Sequence, residues 1–192
     1  MPTQMIFRRF TVGRYPINGY LLADAETRMG VFIDPGGLHE EIAAFIAEQR
    51  IELRDIFFTH GHWDHVEGLN DFLQRYSLQS YAPAGEVPAA NRTLRGGEEL
   101  SVGKLRFATF STPGHTKAAI SFYCQDRLFP GDALFCGSVG GTAGPPQARE
   151  QLDHVRKQLF ALPDDTLVYP GHGPMTTIAA EKYGNPFFRD AG

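Results

Sequence analysis

The stretch "THGHWDH" at 59–65 sets His60, His62, Asp64 and His65 within six positions of a chain that has seven histidines in all. Clustered imidazoles beside a carboxylate are most often donors for a divalent ion. In extended backbone, residues two apart point the same way, so His60 and His62 can grip one ion. Asp64 and His65 follow where "DHVEGLNDFL" turns into a helix. That change of direction lets them face a second ion, so one short loop can feed two adjacent sites.

Two ions need more donors, and three glycine-rich turns offer them: "STPGHT" with His115, "FPGD" with Asp132 and "YPGHG" with His172. Each follows a strand-like run, as His60 follows "IFF", which is how a rigid scaffold presents loops at a rim. Glycine permits the tight backbone that aims the side chains inward. His115 would complete the first site and His172 the second, while Asp132 could bridge both through its two oxygens. Five imidazoles and two carboxylates form a borderline nitrogen and oxygen set that suits zinc, with iron(II) or manganese as alternatives. The expected cofactor is therefore a pair of divalent ions. Such a centre keeps net positive charge, favours an anionic nucleophile and stabilises negative charge developing on a substrate. His39, opening a helix, and His154, among charged helical neighbours, read as structural histidines outside this set.

The elements that must carry these turns alternate strand and helix. Short apolar strands "MIFRRF", "NGYLLA" and "GVFID" come first, separated by turn-forming residues. The spacing predicts a helix over "LHEEIAAFIAEQR", with Leu38, Ile42, Phe45 and Ile46 on one face. "LRDIFFTH" then reads as a strand and "EGLNDFLQRY" as a second helix. The segment "YAPAGEVPAANRTLRGGEEL" reads only as turn-rich. "LSVGKLRFATF", "AAISFYC" and "RLFPGD" follow as strands. "PQAREQLDHVRKQLFALP" is an amphipathic helix with Leu152, Val155, Leu159 and Phe160 inward, "TLVYPGHGP" a strand and "TTIAAEKYG" a last helix. Strands followed by helices, twice over, imply an α/β chain with two packed sheets and helices on the outer faces.

The length of 192 residues fits one domain spanning 1–192. A net charge of -4 argues against a nucleic-acid-binding surface, which would normally show a basic excess or stripe. No apolar run is long enough to cross a bilayer, and "MPTQMIFRRFTVG" lacks a secretory hydrophobic region, so a soluble cytoplasmic protein acting on a small molecule is expected. Cys124 and Cys136 read as reduced thiols in or near apolar strands.

"THGHWDH", "GHT" at 114–116, "GD" at 131–132 and "GHG" at 171–173 together resemble the metallo-β-lactamase superfamily over nearly the whole chain. The resemblance implies a four-layer αββα sandwich with a metal centre at one edge of the two sheets. "FPGDALFCGSVG" and "PGHGPMTTIAAEKYGNPFF" are similar to the glyoxalase II group, the hydroxyacylglutathione hydrolases. That implies His60, His62 and His115 on one metal, Asp64, His65 and His172 on the other, and Asp132 between them. Asp34 in "FIDPGG" would sit beneath the site as an acceptor orienting a ligand; a cap for the turn before the first helix is its other reading. The implied reaction is hydrolysis of a thioester such as a hydroxyacylglutathione by a metal-bridging hydroxide that Asp64 orients. A thiol with a pKa of about 8.5 leaves as thiolate without a dedicated acid.

The chain departs from the group in four places. It ends before the helical C-terminal extension that helps bind glutathione, which implies a short form. Gly141 stands where Lys or Arg is usual, "GTAGPP" replaces an acidic-aromatic stretch, and Lys117-Ala118 replaces Pro-Gly. Lys117 could supply a substitute positive charge for substrate binding. Other readings are a persulfide dioxygenase holding one iron through His60, His115 and Asp132, or a lactone or phosphodiester hydrolase. A non-catalytic metal-binding module fits poorly with a complete set of ligands.

Overall fold

The computed structural model describes residues 3–14 and 16–189; positions 1, 2, 15 and 190–192, which the single-domain expectation includes, lie outside the described residues. The strands are β1 (Met5–Val12), β2 (Ile17–Asp24), β3 (Met29–Ile33), β4 (Glu52–Phe57), β5 (Gln79–Pro83), β6 (Arg92–Leu94), β7 (Glu99–Val102), β8 (Leu105–Ser111), β9 (Ile120–Cys124), β10 (Arg127–Gly131), β11 (Leu167–Pro170) and β12 (Thr176–Thr177). The α-helices are α1 (Glu40–Glu48), α2 (Trp63–Val66), α3 (Leu69–Arg75), α4 (Pro145–His154) and α5 (Ile178–Gly184). One sheet runs β1-β2-β3-β4-β5-β6 and the other β12-β11-β10-β9-β8-β7. β3, β4, β5 and β6 pair in parallel, as do β10 and β11; the remaining pairs are antiparallel.

Strand periodicity explains the layering. Side chains alternate between faces, and every residue of β2 is buried, so β2 is covered on both sides. Tyr20 and Leu22 point into the inter-sheet core with Val31, Ile33, Phe57, Phe107, Phe122 and Phe129. Leu21 and Ala23 point the other way, under Ile42, Ile46 and Phe72 of α1 and α3. In the second sheet Leu128 and Val168 face outward onto Val155, Leu159 and Ile178. Three apolar layers between four structural layers give the expected αββα sandwich. The central layer is aromatic, with Phe57 stacked on Phe122 at a centroid distance of 5.0 Å.

The structure adds elements that residue patterns did not give. Most of "YAPAGEVPAANRTLRGGEEL" is indeed turn, yet its ends fall in β5 and β7, and Arg92–Leu94 forms β6, paired in parallel with β5. The long helix expected over 146–163 begins as α4, with Pro145 and Pro146 in its first turn, then widens into π-helical turns over Val155–Leu159. Both Val155 and Leu159 still face the sheet. Thr176 and Thr177 form the two-residue strand β12 before α5, where Thr177 Oγ1 accepts the Ala180 N–H as an N-cap. Cys124 is a buried thiol in β9, and Cys136 is an exposed thiol in the loop after β10. None of the described helices is long and apolar enough to cross a membrane.

Candidate metal centre

The two sheets are stitched together along one edge, where the strands that lead to the suspected ligands end. Backbone Ile120 N–H donates to Thr59 O at 2.8 Å, joining the end of β4 to the start of β9. Asn18 N–H donates to Gly171 O at 2.8 Å, and the Tyr20 hydroxyl donates to Pro170 O at 2.7 Å, joining β2 to the end of β11. Burial raises the Tyr20 pKa, so the hydroxyl stays a donor. His60, His115, Asp132 and His172 follow β4, β8, β10 and β11, and α2 carries Asp64 and His65.

All seven residues come together. Donor atoms of His60, His62, His115 and Asp132 lie within 4.8 Å of one another, as do those of Asp64, His65 and His172. Asp132 faces both groups: one oxygen is 3.4 Å from His115 Nε2 and 3.6 Å from His172 Nε2, the other 3.5 Å from His65 Nε2. His172 Nε2 is also 3.4 Å from Asp64 Oδ2. His60, His65 and Asp132 form a buried floor, while His62 is exposed at the rim.

Four of the five imidazoles have Nδ1 occupied by an oxygen. His60 Nδ1 meets Thr59 Oγ1 at 3.0 Å, His65 Nδ1 meets Asp34 Oδ2 at 3.0 Å, His115 Nδ1 meets Gly141 O at 2.6 Å and His172 Nδ1 meets Pro16 O at 2.8 Å. Carbonyl and carboxylate acceptors place the proton on Nδ1, and the Thr59 hydroxyl, which itself donates to Asp34 Oδ2 at 2.6 Å, does the same for His60. Each ring then turns an Nε2 lone pair toward the centre. His62 contributes Nδ1, which lies 2.9 Å from His115 Nε2.

This arrangement fits divalent ions on its own terms. His60 Nε2, His65 Nε2 and Asp132 Oδ1 are buried without hydrogen-bond partners. Each such atom costs about 1–3 kcal/mol if left unpaired, and three at one spot need a common partner. Burial, then the positive charge His65 and His115 would carry, hold the His60 pKa well below the ordinary imidazole range, and burial with His115 lowers that of His62. Both thus offer neutral donor nitrogens at neutral pH. Burial works against protonated His65, but Asp34 and Asp132 outweigh it and raise its pKa; burial also raises that of Asp132. A divalent ion at the convergence point would offset the cost of ionised Asp132.

Asp34 lies beneath the floor. Its φ of 46° is left-handed, a conformation an aspartate tolerates better than most residues, and the side chain is 2% exposed. Its carboxylate accepts from Thr59 N–H at 2.8 Å and reaches His65; His39, not Asp34, is the N-cap residue of α1. His154 meets Ser111 O through Nδ1 at 3.2 Å, away from the centre. Lys117 is exposed and lines a pocket of about 220 Å³ with Gly114, His115, Thr116, Gln147 and Glu150. A wider pocket of about 520 Å³ opens beside Asp64 and His172, walled by Trp63 and Pro16. A cavity of about 460 Å³ near Arg54 and Arg75 sits at the opposite end of β4 and touches none of these residues.

Residue patterns missed the supports. Gly171 is one: a Cβ there would stand 2.3 Å from Asp132 Oδ1 and 2.8 Å from His65 Cε1, so only hydrogen fits. Thr59 is another, legible only as the residue before His60. Glu181 and Gln151 brace the loop after Asp132. Glu181 Oε2 accepts from Gly137 N–H at 2.9 Å, and Gln151 Nε2 donates to Ala133 O at 3.1 Å and Gly140 O at 3.2 Å.

The family model described as the metallo-beta-lactamase superfamily matches residues 12–172, a span that includes every one of the seven converging side chains. The chain belongs to the metallo-beta-lactamase superfamily. A hydroxyacylglutathione hydrolase from Nitrosomonas eutropha is 35% identical over 81% of the chain, which spans only 61% of that relative's length. The crystal structure of ETHE1 from Myxococcus xanthus superposes with a TM-score of 0.86 at 36% identity, covering 94% of this chain and 83% of that one. TTHA1623, solved in a di-iron-bound form, superposes with a TM-score of 0.78 at 29% identity, covering 94% and 99%. This member of the metallo-beta-lactamase superfamily is a metal-dependent hydrolase, with overlapping donor clusters for one or two divalent ions.

Proposed function

We propose that the chain is a glyoxalase II-like thioester hydrolase, acting on an acyl thioester such as a hydroxyacylglutathione. His60, His62 and His115 would hold one divalent ion, Asp64, His65 and His172 a second, and Asp132 would serve both. The observation that carries this reading is the Asp132 carboxylate, within 3.4–3.6 Å of imidazoles from both groups. The di-iron form of TTHA1623 supports two ions on this framework. Zinc suits the donor set best. On this reading residues 1–192 act as one domain in the cytoplasm.

Bound divalent ions acidify water toward neutrality and polarise a carbonyl oxygen. The chain's own residues do the rest. Asp64 belongs to one donor group and also lines the wider pocket, so its carboxylate can accept a hydrogen bond from the attacking oxygen and orient it. Trp63 and Pro16 wall that pocket with apolar surface that limits water around the scissile bond. Lys117 offers positive charge to an anionic end of the substrate in the smaller pocket. The thiolate departs without a proton donor, because thiols ionise at about 8.5.

The test is thioester hydrolysis, followed by loss of thioester absorbance, before chelation, after chelation and after zinc or iron is restored. Activity should vanish and return with two ions per chain. Turnover indifferent to chelation would refute the proposal. One iron per chain with oxygen uptake on a glutathione persulfide would instead select the mononuclear reading through His60, His115 and Asp132.

A further inference from the structure

We propose that Glu86, in the turn between β5 and β6, is a positioning residue that sets the spacing of the three-histidine site. This rests on the reading that His60, His62 and His115 hold an ion. Glu86 Oε2 accepts from Gly61 N–H at 2.9 Å, and Glu86 Oε1 accepts from Ala118 N–H at 2.7 Å. Gly61 stands between His60 and His62, and Ala118 stands three residues after His115. One carboxylate therefore ties the loop after β4 to the loop after β8, and those two loops carry all three imidazoles of one group. The His62 and His115 rings, 4.5 Å apart between centroids, approach each other across the gap that Glu86 spans.

A carboxylate suits this place for a physical reason. It offers two acceptor oxygens and no donor, so it satisfies two backbone N–H groups at once. Glutamine would keep one acceptor and set an NH₂ group against the other N–H. The approach is built in from the other side as well: a Cβ on Gly61 would stand 2.4 Å from Glu86 O and 2.9 Å from Glu86 Cβ. Gly61 is bare where the Glu86 turn leans on it. Loops that would otherwise move independently are thus fixed before an ion arrives, which lowers the ordering cost of binding.

The test is zinc titration of metal-free protein by calorimetry, comparing the parent with Glu86→Gln, alongside the visible spectrum of the cobalt(II) form. The parent should bind two ions in separable steps. Glu86→Gln should weaken one step by about 10–100-fold, the loss typical when a partner supporting a ligand is removed, and leave the step at Asp64, His65 and His172 unchanged. The cobalt spectrum should change for the weakened site alone. Glu86→Asp, which keeps the charge but retracts both oxygens, should give an intermediate loss and serves as the reading should Glu86→Gln not fold. Two unchanged steps in a folded variant, or equal weakening of both, would overturn the role of Glu86. A parent that binds no ion would instead overturn the metal site itself.

Discussion

His65 Nδ1 and Asp34 Oδ2 lie 3.0 Å apart, with both side chains buried. The contact fixes the His65 tautomer, turns its Nε2 toward the centre and raises its basicity, as a carboxylate behind a ligating histidine does. Thr59 ties the same carboxylate to His60 through its hydroxyl. Asp34 therefore aims one imidazole from each donor group. Asp34→Ala should weaken metal binding by about 10–100-fold at both steps of a zinc titration. Glu86→Gln should disturb only one step, so the two variants separate the two supports.

Gly171 makes a sharper prediction. Adding one methyl group there forces Asp132 Oδ1 or the His65 ring to move, because the Cβ would be 2.3 Å and 2.8 Å from them. A displacement of about 1 Å in a reacting geometry costs about 100-fold in rate. Gly171→Ala should therefore lose thioester turnover on that scale and bind fewer ions per chain by elemental analysis. Its far-ultraviolet circular dichroism should match the parent, since β11 ends at Pro170.

The converging donors were legible because metal chemistry draws on few residue types, and five of the seven histidines stand beside glycine turns or one another at strand ends. Layering was legible from the alternation of strands and helices. β6 was not, since Arg92–Leu94 is three residues long, follows Gly, Pro and Asn turns and is held by pairing with β5. The π-helical turns escaped because a 3.6-residue period and its wider variant bury the same Val155 and Leu159. Glu86 was illegible for another reason. Its partners lie 25 and 32 residues away, and only folding brings them to it.

Lys117 separates binding from chemistry. It is exposed, shares its pocket with His115, and has no place among the converging donors. If it meets the anionic end of a thioester, the contact forms equally in ground and transition states. Lys117→Ala should then raise KM by about 2–5-fold, the scale of one exposed charge contact, with kcat unchanged. A neutral thioester should show no difference between parent and variant in the same steady-state assay.

Asp55 on β4 allows a stability test independent of the metal. Burial, partly offset by Arg54, pushes its pKa up from 3.8 to about 6. The folded state thus prefers the protonated form, and folding holds more protons than the unfolded chain between those two values. That contribution is fully present below the unfolded value and is lost as pH rises through about 6. Asp55→Asn keeps a neutral side chain at every pH. In metal-free protein it should melt higher than the parent at pH 7.5, by about 2–4 °C once solvent screening of this half-buried group is allowed for. The gap should close as melts are repeated down to pH 4.5, because the parent's own carboxyl is then protonated. A gap that stays constant across the series would mean that the charge on Asp55 is not what strains β4.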